Sequence, residues 1–214
     1  MKLILASESP RRRDLLRECG IDFDVLPVSA DETGHAGETP EATALRLGRE
    51  KARLALERLN GTEGWILAAD TVVADGGRTL GKPRDRMQAE EFLLRLRGRE
   101  HRVVTGVCLL HSPDGAGAAD LAVTAVRMRK FSPAEMAEYL AGDDALDKAG
   151  AYAIQHPSFR PVESIDGCYT NVVGLPLCRV YPLLERAGIS PERPLPERCR
   201  AGRGCSFAPP PRRR

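Results

Sequence analysis

The order of apolar and polar positions divides the chain into alternating strand-like and helix-like stretches. Residues 3–6 are a continuous apolar run with the length of a short buried strand. Residues 11–19 put Leu15 and Leu16 on one side of a helix that stops at Gly20. Residues 23–28 alternate as a strand, and residues 31–40 form an acidic loop. Leu45, Ala52, Ala55, Leu56 and Leu59 recur at helical spacing, which predicts a long amphipathic helix over 41–59 closed by Asn60-Gly61. Residues 65–69 are an apolar strand with Asp70 at its end. Residues 71–74 continue extended, and Asp75-Gly76-Gly77 supplies a hairpin turn.

Further along, Asp85 is placed to cap a helix reaching Arg97. Residues 103–110 and 121–128 read as strands separated by a Gly/Ala-rich loop over 111–120. Ser132-Pro133-Ala134-Glu135 is a capping box that opens a helix ending near Gly142. Residues 171–176 form a loop into a last helix over 177–187, stopped by Gly188. Such alternation argues for α/β architecture, and 214 residues suit one large domain or two small lobes. We expect a domain over 1–188 and a disordered tail over 189–214, which holds six prolines and little apolar content.

Composition narrows the function classes. The 42% hydrophobic and 29% charged residues are those of a globular protein. No apolar run approaches the ~20 residues of a membrane span. The apolar start is too short for a secretory signal, so the expected location is cytoplasmic. The formal net charge is +2, from 32 basic and 30 acidic residues. Seven Arg and two acidic residues fall in the tail, which leaves 25 basic against 28 acidic, a net −3, in the body. That balance, with 5% aromatics, speaks against a nucleic-acid surface. The six cysteines include no Cys-x-x-Cys pair and are expected to be buried reduced thiols, not a zinc site or a disulfide framework.

No P-loop, no G-x-G-x-x-G after the first strand and no G-x-S-x-G elbow occurs. What remains is a set of polar residues at the ends of expected elements. Ser7-Glu8-Ser9-Pro10-Arg11-Arg12-Arg13 lies between a strand and a helix, where free backbone N–H groups and Arg forks suit an anion. An ordinary serine cap with solvated arginines fits the same residues equally well. Asp70 follows an apolar strand, where α/β proteins place ligands, although Asp there is also a common turn residue. Lys82 sits in Gly81-Lys82-Pro83 and Lys51 late on a charged helix, and either could simply be solvated. Glu32 could bind a divalent cation through oxygen or merely belong to a solvated acidic loop. In the stretch from Asp147 to Gln155, a charged pair followed by small residues and Gly150 suggests a close backbone approach. The Gln155 amide could read a base edge or cap a neighbouring strand.

Seven stretches in order resemble the Maf family of nucleotide pyrophosphatases. They are Leu5-Ala6-Ser7-Glu8-Ser9-Pro10-Arg11-Arg12, Arg49-Glu50-Lys51-Ala52, Ala69-Asp70-Thr71, Gly81-Lys82-Pro83, His101-Arg102-Val103-Val104-Thr105-Gly106-Val107, the run from Leu146 to Gln155, and Val172-Val173-Gly174-Leu175-Pro176. The resemblance covers residues 1 to about 187. It implies an elongated, two-lobed, mixed-sheet α/β fold like that of inosine-triphosphate pyrophosphatases, with the cleft between lobes. It also implies hydrolysis of a nucleoside triphosphate to monophosphate and pyrophosphate with Mg²⁺ or Mn²⁺.

Carried over by position, the resemblance implies Asp70 as catalytic base and Asp70 with Glu32 at the metal. It implies Ser7, Arg12, Lys51, Lys82 and Lys148 at phosphate, and Arg11, Thr71 and Gln155 in selecting dTTP and UTP. The Pro-Arg-Arg and Tyr-x-Ile-Gln stretches separate this chain from the sister branch that prefers 7-methyl-GTP. It departs from the family at His156-Pro157, where a glycine is usual after the Gln. The expected partner is the nucleotide, with room for a homodimer and no membrane or nucleic acid. Two rival readings are a septum regulator acting through a partner and a phosphatase for other nucleotides.

Overall fold

The computed structural model describes residues 2–193 and Cys199. In chain order the elements are β1 (Leu3–Leu5), α1 (Pro10–Glu18), β2 (Asp24–Val25), α2 (Pro40–Leu59), β3 (Gly64–Asp75), β4 (Arg78–Leu80), α3 (Arg86–Leu96), β5 (Glu100–Ser112), β6 (Gly117–Met128), α4 (Pro133–Ala141), a 3₁₀ turn (Ala149–Ala151), β7 (Val162–Asp166), α5 (Tyr169–Val173) and α6 (Leu177–Arg186). The strands form one sheet in the order β2-β1-β3-β5-β6-β7, with β4 added beside β3. β1 runs parallel to β2 and β3, and every other pairing is antiparallel. The α/β expectation and the mixed sheet therefore hold.

The caps explain where the helices start. Thr39, Asp85 and Ser132 each accept a hydrogen bond from a first-turn N–H, and Ser132 and Glu135 complete the expected capping box. Two expectations change. The strand over 23–28 shrinks to two residues. The loop over 111–120 shrinks to a short turn, because β5 and β6 pair from Glu100–Arg127 out to Leu110–Gly117. The apolar run and the extended residues 71–74 join into one strand, β3, which carries Asp70 in its middle and ends at Asp75. β7 and α5 have no counterpart in the hydrophobic pattern: β7 is half-exposed with no alternation, and α5 is too short for helical periodicity.

Two large apolar cores lie on either side of the cleft described below. One joins β1, α1 and α6 through Leu5, Leu16, Leu67, Leu177 and Leu184. The other joins α3, α4 and the far ends of β5 and β6 through Leu93, Val103, Met128, Phe131 and Phe159. These two cores are the two lobes.

Part of the tail packs on the body. The Arg193 N–H donates to the Cys19 carbonyl at 3.1 Å, and its own carbonyl accepts from the Tyr181 hydroxyl at 3.1 Å. Ile189 lies against the first core, and Cys199 is 1% exposed within it. These residues of the tail expected to be disordered are packed on the body; the rest of it, 194–198 and 200–214, lies outside the described residues. Removing residues 190–214 is thus expected to lower Tm by several degrees. Loss of one buried side chain and two hydrogen bonds is worth about 1–3 kcal/mol, and each kcal/mol is about 2–4 °C at this size. Differential scanning fluorimetry checks it.

Candidate active site

The site begins at a gap in the sheet. β1 pairs with β3 only as far as Leu5–Leu67, and β4 joins the same edge only from Val73. Between them, among the described residues, that edge of β3 has no neighbouring strand. Asp70 and Thr71 lie in this gap, and a cleft of about 820 Å³ opens over it. All ten residues singled out in the sequence line this one cleft: Ser7, Arg11, Arg12, Glu32, Lys51, Asp70, Thr71, Lys82, Lys148 and Gln155.

Close packing of α2 brings Lys51 to Asp70. In the register of β3 and β5, Gly106 stands opposite Asp70. A Cβ on Gly106 would lie 2.3 Å from the Ala44 carbonyl oxygen, so only glycine lets α2 sit this low on the sheet. One turn beyond Gly48, the Lys51 ammonium then lies 2.5 Å from Asp70 Oδ1. Both side chains are about nine-tenths buried. The same ammonium donates to Glu32 Oε1 at 3.2 Å, and Lys82 Nζ stands 4.0 Å from that oxygen. Two carboxylates thus converge on one cationic point, with a second, more exposed cation beside it.

Glu32 sits in a loop without regular structure, and Arg46 holds that loop down. Its guanidinium donates to both Glu38 carboxylate oxygens, at 2.8 and 2.9 Å, and to the Thr33 carbonyl at 3.2 Å. The Arg46 hydrogen bond holds the Glu38 carboxyl down at about 2.

Arg12 occupies the opposite wall and is buried. Its Nε donates to the Gly174 carbonyl at 2.8 Å, its Nη1 to Ser7 Oγ at 3.0 Å and its Nη2 to Thr71 Oγ1 at 3.2 Å. Burial pulls this guanidinium below its ordinary pKa, and the Asp70 charge pulls it back. Thr71 is tied in turn to Thr105 Oγ1 at 2.9 Å. Ser7, Arg12 and Thr71 are therefore one hydrogen-bonded unit fixed to α5 and β5.

The second lobe closes the mouth. Gly150 has φ +69, and a Cβ there would meet Val73 at 3.0 Å, so this turn does make the close approach that its sequence suggested. Its N–H also donates to the Gly81 carbonyl at 3.1 Å, which fixes the loop carrying Lys82. Arg11 reaches across to Asp147 Oδ2 at 3.2 Å. Lys148 donates to the Asp144 carbonyl, Asp144 Oδ1 and Asp147 Oδ1 at 2.5, 2.8 and 2.6 Å, so all three of its N–H groups are taken. It thus supports Asp147. Burial opposes ionisation of Asp147, but Lys148 and Arg11 outweigh it and hold this carboxyl below its ordinary range. Gln155 is exposed in the next turn and makes no hydrogen bond among the described residues. The His156 departure has a local account. Its Nδ1 accepts from the Phe159 N–H at 3.0 Å, and its ring meets Tyr139 edge-on.

A family model described as Maf-like protein matches residues 2–187. The chain belongs to the Maf-like family. It is 49% identical over 197 residues to the dTTP/UTP pyrophosphatase of Myxococcus xanthus, covering 92% of this chain and 95% of that one. It is 46% identical over 184 residues to the dTTP/UTP pyrophosphatase of Syntrophomonas wolfei, covering 86% and 96%. Among solved structures, the Ham1 protein of Staphylococcus aureus is 17% identical with a TM-score of 0.42, covering 72% of this chain and 88% of that one.

Sequence reasoning missed Arg46 of α2 and Glu38 of the loop, and held Thr105, Gly174 and Asp147 only inside motifs, without their contacts to Thr71, Arg12 and Arg11. Their roles are contacts between distant segments, which no local pattern announces. His101 was legible only as part of a motif. Burial holds its ring down to about 4, and its Nε2 meets the Tyr152 hydroxyl at 2.7 Å, which fixes a wall of the cleft.

Proposed function

We propose that this cleft hydrolyses dTTP and UTP to the monophosphate and pyrophosphate, with a nucleotide-pool cleaning role in the cytoplasm. The observation that carries the reading is the convergence of Asp70 and Glu32 on one cationic point, flanked by Lys82 and faced by Arg12. The names of the relatives supply the substrate class. No helix among the described residues is long and apolar enough to cross a membrane.

A triphosphate enters with its charge toward Arg12, Lys51 and Lys82. In-line attack of water on the α-phosphorus builds charge on the departing pyrophosphate, and fixed cations in a partly dry cleft stabilise it. In this reading Asp70 takes the proton of the attacking water. A carboxylate alone is a weak base for free water. A divalent cation fits the donor set, because Asp70 and Glu32 already face one ammonium. Mg²⁺ commonly takes one or two carboxylates and completes its shell with water and phosphate oxygens. When bound, Mg²⁺ or Mn²⁺ would neutralise phosphate charge and acidify a water. Gln155, unpaired at the mouth, offers the donor and acceptor that match the uracil or thymine edge, with Arg11 and Thr71 beside the path. A nucleotide panel with either metal and with excess chelator tests this. We expect pyrophosphate from dTTP and UTP, a lower kcat/KM for GTP, and loss of turnover in chelator. Full turnover in chelator, or equal use of GTP and 7-methyl-GTP, contradicts the reading.

Asp147→Asn probes the support of Arg11. The pair is partly exposed, at 28% for Arg11 and 57% for Asp147, so its worth is at most about 1 kcal/mol. KM for dTTP is expected to rise roughly two- to five-fold, with kcat little changed in steady-state assays.

A further inference from the structure

Outside the nucleotide cleft, three thiols meet beneath α5. Cys168 precedes that helix, Cys178 opens α6, and Cys199 comes from the C-terminal segment; all three are buried. The Cys168 sulfur lies in one buried cluster with Cys178. It also lies 3.2 Å from Thr170 Oγ1, which is 3.5 Å from Cys199 Sγ. Among the described residues no group of three or more such side chains is arranged to hold a metal ion.

Cys168 and Cys178 form an apolar cluster of their own, whereas Cys199 belongs to the large core beside α1 and α6. The backbone holds the two ends of this segment together. The Cys168 N–H donates to Thr124 Oγ1 at 3.0 Å, and that hydroxyl donates to the Cys168 carbonyl at 3.2 Å. The Leu177 N–H donates to Thr170 Oγ1 at 3.1 Å, so the residue before Cys178 is tied to the hydroxyl that touches the Cys168 sulfur.

We propose that Cys168 and Cys178 are an oxidisable pair, converted by a peroxide into a disulfide that closes the segment 168–178. The hydrogen bonds from Cys178 and then Cys199 outweigh burial and hold the Cys168 thiol well below its ordinary pKa, which makes it the attacking thiolate. The Cys168 sulfur attacks one peroxide oxygen and the O–O bond breaks. Hydroxide leaves and takes up a proton as water, and Cys168 becomes a sulfenic acid. The Cys178 sulfur, losing its proton, attacks the sulfenic sulfur. The S–O bond breaks and the second oxygen leaves as water. Two thiols lose two electrons in all, and hydrogen peroxide becomes two waters. The closed segment contains Gly174, whose carbonyl anchors Arg12 Nε, so the bond forms next to the support of the cleft wall.

Hydrogen peroxide on the reduced full-length protein, followed by alkylation and a tryptic digest without reductant, tests the pair. The peptide ending at Arg179 contains both Cys168 and Cys178. It is expected to lose two hydrogens, to resist alkylation and to recover both thiols with dithiothreitol. Cys199→Ala is expected to leave this unchanged, and Cys178→Ala to abolish it. A bond joining this peptide to the one with Cys199, an irreversible sulfinic acid on Cys168, or two freely alkylated thiols after peroxide each overturns the proposal. The wild-type digest decides alone if a variant fails to fold.

Discussion

Asp70→Asn is expected to lower kcat by at least about 10²-fold while the circular dichroism spectrum stays unchanged. The substitution keeps the size of a side chain that is 6% exposed in the middle of β3, so packing against α2 and β5 holds. It removes the negative charge, and with it the capacity to take a proton. A positioned general base contributes ~10²–10⁴-fold. Lys51 keeps a partner in Glu32, so its ammonium is not left uncompensated. Retention of more than about a tenth of wild-type kcat at saturating Mg²⁺ would remove Asp70 from the role of base and make Glu32 the next residue to test.

Lys51→Met is expected to damage stability and activity together. The ammonium sits between two carboxylates, and its pairing with Asp70 is mostly buried. Removing one member of a buried pair costs about 3–5 kcal/mol, because the other charge is left without a partner. At about 2–4 °C per kcal/mol, Tm is expected to fall by roughly 10 °C. Because metal and triphosphate would both add charge at this point, turnover is expected to fall by about 10²-fold or more. A Tm within about 2 °C of wild type would show that the Lys51–Asp70 pair contributes little to the fold.

The long helix α2, the capping box at Ser132 and the strands β5 and β6 were legible because their signals are local or periodic. Asp70 was legible as a carboxylate beside an apolar run. Its place in mid-strand was not, since that depends on where β1 and β4 stop pairing with β3. The charged side chains that line the cleft were found as separate motifs, yet nothing in their spacing gives Lys51 to Asp70 and Glu32 or Arg12 to Gly174. Those contacts follow from α2 sinking onto Gly106 and from α5, a helix too short to leave a periodic trace. Lys148 was legible as a motif residue, whereas its partners, the carboxylates of Asp144 and Asp147, were not.

The central claim is that water attacks the α-phosphorus of a pyrimidine nucleoside triphosphate in this cleft. Turnover of dTTP in ¹⁸O-labelled water, with both products weighed by mass spectrometry, tests it directly. The account predicts dTMP carrying one labelled oxygen and unlabelled pyrophosphate. Label in pyrophosphate, or dTDP with labelled orthophosphate, would place the attack on another phosphorus and contradict it.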